Sequence, residues 1–122
     1  LAALTIEAVK AINIEVSSTC NAACPFCSRR QKVRPYPGQL ITLADFKLLP
    51  TSLIQQLRRL TFGGNFGDLC CNPEVLEVAA YIRWLNPDIT LEGDTNGSYG
   101  HPEWWQALQN RDGVGQRLGK TA

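Results

Sequence analysis

The sequence predicts an α/β fold built around a parallel β-sheet. Two observations predict it: short apolar stretches with strand-like alternation are followed by stretches with helical spacing, and this order occurs three times along the chain. Such alternation is typical of a parallel sheet with helices packed on it, and its crossover connections are almost always right-handed.

The first strand is predicted over residues 11–17, where aliphatic and polar residues alternate. Two prolines and a glycine predict a loop within residues 28–38. Thr42, followed by Asp45 three residues later, predicts a capping box at a helix start. Pro50 divides the helical pattern that follows into two short helices, because proline lacks the N–H that a helix interior requires.

The second and third strands are predicted at residues 60–62 and 89–92. The helix between them is expected to begin at Asn72-Pro73, a capping residue followed by a first-turn proline, and to end at Asn86-Pro87. Its predicted buried face, given by apolar residues at helical spacing, is Val75, Val78, Ala79, Ile82 and Leu85.

Pro102 is predicted to begin a last helix, in which Trp104 and Trp105 pack toward the core. Residues 111–122 show no pattern of a packed element. Three βα units therefore account for the chain, and the third strand is expected at an open edge of the sheet. A length of 122 residues corresponds to one domain.

The composition excludes several classes of protein. The net charge of +1 gives no reason to expect a nucleic-acid or membrane-surface protein, and no apolar run approaches the roughly 18 residues of a membrane span. A hydrophobic content of 44% is typical of a folded domain. Five cysteines without a recognisable signal peptide favour metal or redox use over disulfides, so a cytoplasmic location is expected.

Three cysteines within eight residues are the most informative feature of the chain. Cys20, Cys24 and Cys27 have the spacing C-x3-C-x2-C. Thiolates are soft ligands that suit zinc or iron–sulfur centres. A structural zinc or an ordinary ferredoxin-type cluster takes four protein ligands, so three thiolates on a four-iron cluster leave one iron open to a small molecule.

The cysteine motif, with Phe26 just before its third cysteine and a predicted strand before its first, resembles that of the radical S-adenosylmethionine (SAM) superfamily. Two further turns resemble the same family. The segment Gly64-Asn65-Phe66-Gly67-Asp68 is similar to the glycine-rich turn after the family's second strand, and Asp94-Thr95-Asn96-Gly97 is similar to its T-N-G turn after the third. One departure is Leu69, where the family usually has proline.

The resemblance implies two cofactors: a 4Fe–4S cluster held by the three cysteines, and SAM, which binds the fourth iron. The carboxylate of Asp68 suits the ammonium group of SAM, and Phe26 is expected beside the adenine. The residues implied to contact SAM are Phe26, Gly64, Asn65, Gly67, Asp68, Thr95 and Asn96.

The resemblance also implies an incomplete (β/α) barrel, with about three βα units of a radical SAM-type (β/α)6 partial barrel. Residues 1–122 are then expected to be the N-terminal part of one such core domain. The implied activity is reductive cleavage of SAM to a 5′-deoxyadenosyl radical, which abstracts a hydrogen atom from an unidentified peptide or small-molecule substrate. A flavodoxin or a ferredoxin is the expected reductant. Glu15 faces either the lumen of such a barrel or solvent.

A non-enzymatic zinc-binding or electron-transfer iron–sulfur module is the alternative, with Cys70 or Cys71 as the fourth ligand beside the three cysteines. His101 is a further candidate ligand, although its position before a predicted helix favours a surface role. Cys70 and Cys71 are otherwise expected to be small buried apolar residues. A basic cluster either is a solvated loop or docks an acidic partner; it comprises Arg29, Arg30, Lys32 and Arg34.

Overall fold

The computed structural model describes most of the chain. The described residues are 4–19, 39–63, 67–97, 102–110 and 117–120, with residues 109, 110 and 117–120 described by their backbone alone.

A four-stranded, all-parallel sheet forms the centre of the molecule. Its strands are β1 (Ala11–Ile14), β2 (Arg59–Phe62), β3 (Thr90–Thr95) and β4 (Arg117–Lys120), and their order in the sheet is their order in the sequence. The predicted α/β class and the parallel pairing are confirmed.

The expected partial barrel is wrong, because the sheet is open. Within the described residues β1 and β4 are its two edges, and no strand pairing joins them. A barrel closes only when its edge strands pair, and roughly eight strands are needed to enclose a lumen filled by side chains. Four strands of four to six residues form a short open sheet instead.

The expectation of an unstructured tail is also wrong. Residues 117–120 form β4, which pairs in parallel with β3 from Glu92 to Thr95. The sequence Arg-Leu-Gly-Lys has neither alternation nor β-branched residues, so local pattern does not predict a strand there. Pairing with the available edge of β3 decides its conformation.

In the described residues four α-helices connect the strands: α1 (Leu43–Phe46), α2 (Thr51–Gln56), α3 (Val75–Leu85) and α4 (Pro102–Asn110). Helix α3 contacts each of the other three, so the helices form one layer. With strands in sequence order, right-handed crossovers place every connection on the same face of the sheet. None of these helices combines the length and the apolar character that crossing a membrane requires.

Most helix boundaries follow local signals in the sequence. The expected start of α3 at Asn72-Pro73 is wrong, because Asn72 ends a 3-10 turn over Leu69–Cys71 and the helix begins at Val75. Thr42 and Asp45 form the predicted capping box at α1, with hydrogen bonds of 3.1 and 2.9 Å. Pro50 separates α1 from α2 as predicted. Helix α3 ends before Pro87, and Asn86 donates its side-chain N–H groups to two carbonyls at the end of α2.

The core lies between the sheet and the helix layer. Alternate residues of the strands are buried on this side, including Leu60, Phe62 and Leu91, and the predicted apolar face of α3 packs against them. Trp104 and Trp105 are half-buried against the same core, with their rings edge to face at 5.0 Å. The other set of strand residues is polar and partly exposed.

Candidate functional site

The structure describes four of the ten residues that the sequence assigns to cofactors. These four are Gly67, Asp68, Thr95 and Asn96. The other six lie outside the described residues, and they are Cys20, Cys24, Phe26, Cys27, Gly64 and Asn65. The predicted basic cluster and His101 also lie outside them.

The carboxyl ends of three parallel strands meet at Asp68. Its backbone N–H donates to the carbonyl of Thr19 at 2.9 Å, and Thr19 directly precedes Cys20 in the sequence. The carboxylate of Asp68 reaches the residues at the end of β3, where it accepts from Asn96 N–H at 2.7 Å. In parallel α/β sheets this edge is where ligands bind.

The Asp68 carboxylate accepts three hydrogen bonds from donors of its own chain. Oδ1 accepts from the backbone N–H of Cys70 at 2.9 Å and from the hydroxyl of Thr95 at 2.7 Å, while Oδ2 accepts from Asn96. We call this group of residues (Thr19, Asp68, Cys70, Thr95 and Asn96) the Asp68 junction. Asp68 is only 4% exposed, so the junction is a buried connection between three loops.

The thiol of Cys70 belongs to the same network. Its sulfur lies 3.2 Å from the Thr95 hydroxyl oxygen. The single proton of that hydroxyl points to Asp68, so the thiol is the donor in this contact and Thr95 the acceptor. Burial raises the pKa of the Cys70 thiol from 9.0 to about 12, and the nearby Asp68 charge acts in the same direction. Cys70 is buried as expected, and Cys71 is half-buried.

Gly67 brings the second turn into contact with the segment after β1. A Cβ at this position would overlap the carbonyl of Ser17, so only glycine allows the two backbones to approach this closely. The N–H of Gly67 donates to Oε1 of Glu15 at 3.1 Å. The glycine that the sequence assigns to SAM therefore also joins the ends of β1 and β2.

The described residues on the two sides of the cysteine segment pair with each other. Ser18 N–H donates to Gln39 carbonyl at 2.9 Å, and Ile41 N–H donates to Val16 carbonyl at 3.0 Å. Buried Asn72 fastens this pairing, because its side-chain N–H groups donate to the carbonyls of Val16 and Ile41. Both stems of the cysteine segment are thus fixed at the end of β1.

An open cavity of about 450 Å³ lies beside these stems. Its described lining residues are Glu15, Ser18, Gln39, Leu40 and Ile41. A volume of this size is within the range of small-ligand sites. Glu15 is the one charged residue among the described lining residues.

Sequence reasoning missed the structural roles of Asn72 and Cys70, and it left the position of Glu15 open. An aspartate that accepts from the N–H two residues ahead, as Asp68 does from Cys70, is a local turn signal readable in a sequence. The contacts of Asp68 with Thr95 and Asn96 span 27 and 28 residues, and no local pattern predicts them.

Searches for related proteins add no assignment. No protein-family model, no curated protein and no solved structure matches this chain. Among the described residues, no group of three or more His, Cys, Asp or Glu side chains is placed to hold a metal ion, and the three clustered cysteines lie outside those residues.

Proposed function

We propose that this protein binds a 4Fe–4S cluster through Cys20, Cys24 and Cys27 and binds SAM beside it, as radical SAM enzymes do. The observation that supports the proposal most is the Asp68 junction. It joins the residue directly before Cys20 to the glycine turn and to the turn after β3. Described residues from the glycine turn and the turn after β3 thereby meet the residue that precedes the cysteine motif.

The donor set fits such a cluster. Three thiols at C-x3-C-x2-C spacing supply soft ligands to three irons, and the cluster with SAM supplies an electron and a carbon radical for hydrogen abstraction. Gly64, Asn65 and Phe26 remain proposed SAM contacts. Of the other proposed contacts, Asp68, Thr95 and Asn96 join the two turns, and Gly67 joins the glycine turn to Glu15, the residue after β1.

The described part of the chain holds in place the two stems of the segment that carries the proposed cluster ligands. Asn72 and the Ser18–Gln39 pairing hold both described stems of the cysteine segment at the end of β1. Such confinement reduces the conformational entropy that cluster binding has to overcome. We propose a reducing, cytoplasmic setting, a flavodoxin or ferredoxin as electron donor, and a peptide or small-molecule substrate.

The geometry of Cys70 argues against the zinc or electron-carrier alternative. The Cys70 sulfur is buried in the Asp68 junction, where it lies 3.2 Å from the Thr95 hydroxyl oxygen. As a fourth ligand Cys70 would have to leave the Asp68 junction. Cys71, which is half-buried, is the other described cysteine that the alternative offers as a fourth ligand.

Anaerobic reconstitution with iron and sulfide, followed by EPR of the reduced protein with and without SAM, tests the proposal. We expect a reduced 4Fe–4S signal that changes when SAM is added, because an open iron accepts SAM. A cluster signal that SAM does not alter contradicts the proposal and indicates a four-ligand electron carrier. Zinc retained in place of iron also contradicts it.

A matched pair of variants identifies the ligands. Cys70→Ser with Cys71→Ser preserves a hydroxyl donor toward Thr95 but removes both thiols, and it is expected to bind as much iron as the parent. Cys24→Ser is expected to lose the cluster. Loss of iron in the double variant, with its fold verified by circular dichroism, would support the alternative module.

A further inference from the structure

The side chain of Asn72 joins three separate parts of the chain. It is 1% exposed, and its two N–H bonds donate to the carbonyls of Val16 and Ile41 at 2.9 and 2.8 Å. Its carbonyl oxygen accepts from the backbone N–H of Glu74 at 2.9 Å, just before α3 begins. A side-chain amide offers two donors and an acceptor in one planar group, which neither a carboxylate nor a hydroxyl does.

The two carbonyls that Asn72 bonds belong to the stems of the cysteine segment. Val16 precedes the segment and Ile41 follows it. The carbonyl of Val16 also accepts the N–H of Ile41 at 3.0 Å. One step further along the pairing, the N–H of Ser18 donates to the carbonyl of Gln39 at 2.9 Å. Asn72 therefore fastens the paired stems to the start of α3.

Paired stems lower the cost of forming a metal centre in the segment between them. All three proposed ligands lie within residues 20–27, inside the loop that the stems close. Bringing the ends of a loop together costs conformational entropy, and a metal that has to close the loop itself binds more weakly by that amount. With Asn72 in place, the cluster binds a segment whose ends are already held together.

We propose that Asn72 is a positioning residue for the 4Fe–4S cluster, which acts through the two stems on how firmly the three thiols retain the metal. This inference rests on the proposed function, and it adds a residue that is not itself a ligand. Because coupling between two equilibria is reciprocal, a bound cluster also holds the stems together. Both directions of this coupling can be measured.

The first test measures how fast the reconstituted cluster releases iron to excess EDTA under anaerobic conditions. Asn72→Ser removes both N–H donors but keeps a hydroxyl oxygen that can accept from Glu74. We expect this variant to release iron about 10-fold faster than the parent, because two hydrogen bonds that hold the stems are lost. Iron and sulfide content is measured first, so that every rate refers to a loaded protein.

Asn86→Ser is the matched control. Asn86 is 8% exposed, and its side-chain N–H groups donate to the carbonyls of Ile54 and Leu57 at 2.9 and 2.7 Å. It thus makes the same two bonds at the other end of α3, away from the stems. The two variants are expected to lose similar free energies of unfolding in urea, but Asn86→Ser is expected to release iron at the rate of the parent.

A second measurement uses the parent alone and needs no variant to fold. Hydrogen exchange, followed by mass spectrometry, compares the metal-free and the cluster-loaded protein at the amides of Ser18 and Ile41, which form the stem pairing. We expect the cluster to slow exchange there at least about 10-fold more than at Leu57, whose N–H donates to Ile54 at 3.3 Å.

The outcomes distinguish this inference from the proposed function. If the parent holds a 4Fe–4S cluster but Asn72→Ser releases iron no faster than the parent or than Asn86→Ser, the positioning role is overturned and the proposed function stands. Equal slowing of exchange at Ser18, Ile41 and Leu57 overturns the positioning role in the same way. If the parent binds no 4Fe–4S cluster, both proposals are overturned.

Discussion

Cys70 shows how a single side chain limits the chemistry of this site. Its thiol is buried and lies close to the Asp68 carboxylate, and both features favour the protonated form. A sequence with five cysteines offers five potential ligands, but the surroundings of this one make it a hydrogen-bond donor in the core. Burial, rather than residue type, decides which cysteines are available to a metal.

The raised pKa of Cys70 predicts a loss of stability at alkaline pH. The folded protein keeps this proton until about pH 12, whereas the unfolded chain releases it near pH 9.0. Between these values the unfolded state binds fewer protons, so the free energy of unfolding falls as the pH rises. Between about pH 8 and about pH 11, the free energy of unfolding measured with urea is expected to fall less in Cys70→Ser than in the parent protein, because the serine hydroxyl does not titrate in this range.

Cys71→Ser is the matched control for this measurement, and its stability is expected to fall with pH as that of the parent does. Parallel pH profiles for Cys70→Ser and the parent would show that the Cys70 thiol does not contribute to the alkaline loss.

Among the elements, the two described glycines that follow β2 differ in how well they can accommodate a larger side chain. Gly67 faces the backbone of Ser17 and Thr19, whereas Gly63 faces the side chain of Asn13, which bonds its N–H at 3.1 Å. Backbone cannot move aside without disturbing β1 and the cysteine segment, but an amide side chain can rotate. The same substitution therefore has different consequences at the two positions.

Gly67→Ala is expected to lower the free energy of unfolding by about 1–3 kcal/mol, because the new Cβ separates the glycine turn from the end of β1. Gly63→Ala is expected to cost less than about 1 kcal/mol, since Asn13 can move and alanine reduces the entropy of the unfolded chain. Denaturant unfolding of both variants measures the difference. Equal costs at the two positions would contradict the close backbone approach at Gly67.

In the whole molecule, β4 pairs with the edge of β3 that the sequence predicts to be exposed. It pairs with the last four residues of β3, and these end at Thr95 in the Asp68 junction. An unpaired β3 would present a row of backbone donors and acceptors to other chains. The tail therefore protects the sheet next to the candidate site.

Deleting residues 117–122 is expected to lower the free energy of unfolding by about 2–4 kcal/mol, from several backbone hydrogen bonds at about 0.5–1.5 kcal/mol each. The truncated protein is also expected to aggregate faster, which light scattering during incubation would measure. Deleting residues 121 and 122 alone spares β4 and is expected to change neither property. Full stability and solubility after the longer deletion would contradict a structural role for β4.

The α/β class, the parallel sheet and most element boundaries could be predicted from the sequence alone. Capping at Thr42, the break at Pro50 and the apolar face of α3 depend on interactions within a few residues, so they can be read locally. The three-cysteine motif is likewise contiguous, and its assignment to a 4Fe–4S cluster remains a prediction from residue chemistry.

Contacts in the folded chain were needed to show that four short strands form an open sheet and not part of a barrel, that the tail contains a strand, and that Asp68 bonds to distant residues. Each depends on contacts between distant residues: the pairing of β4 with β3, and the bonds from Asp68 to Thr95 and Asn96. Whether a sheet closes depends on the number and pairing of its strands, which no single segment encodes. Which of two acids faces a cavity depends on how loops from different strands pack, so Glu15 and Asp68 became distinguishable only in three dimensions.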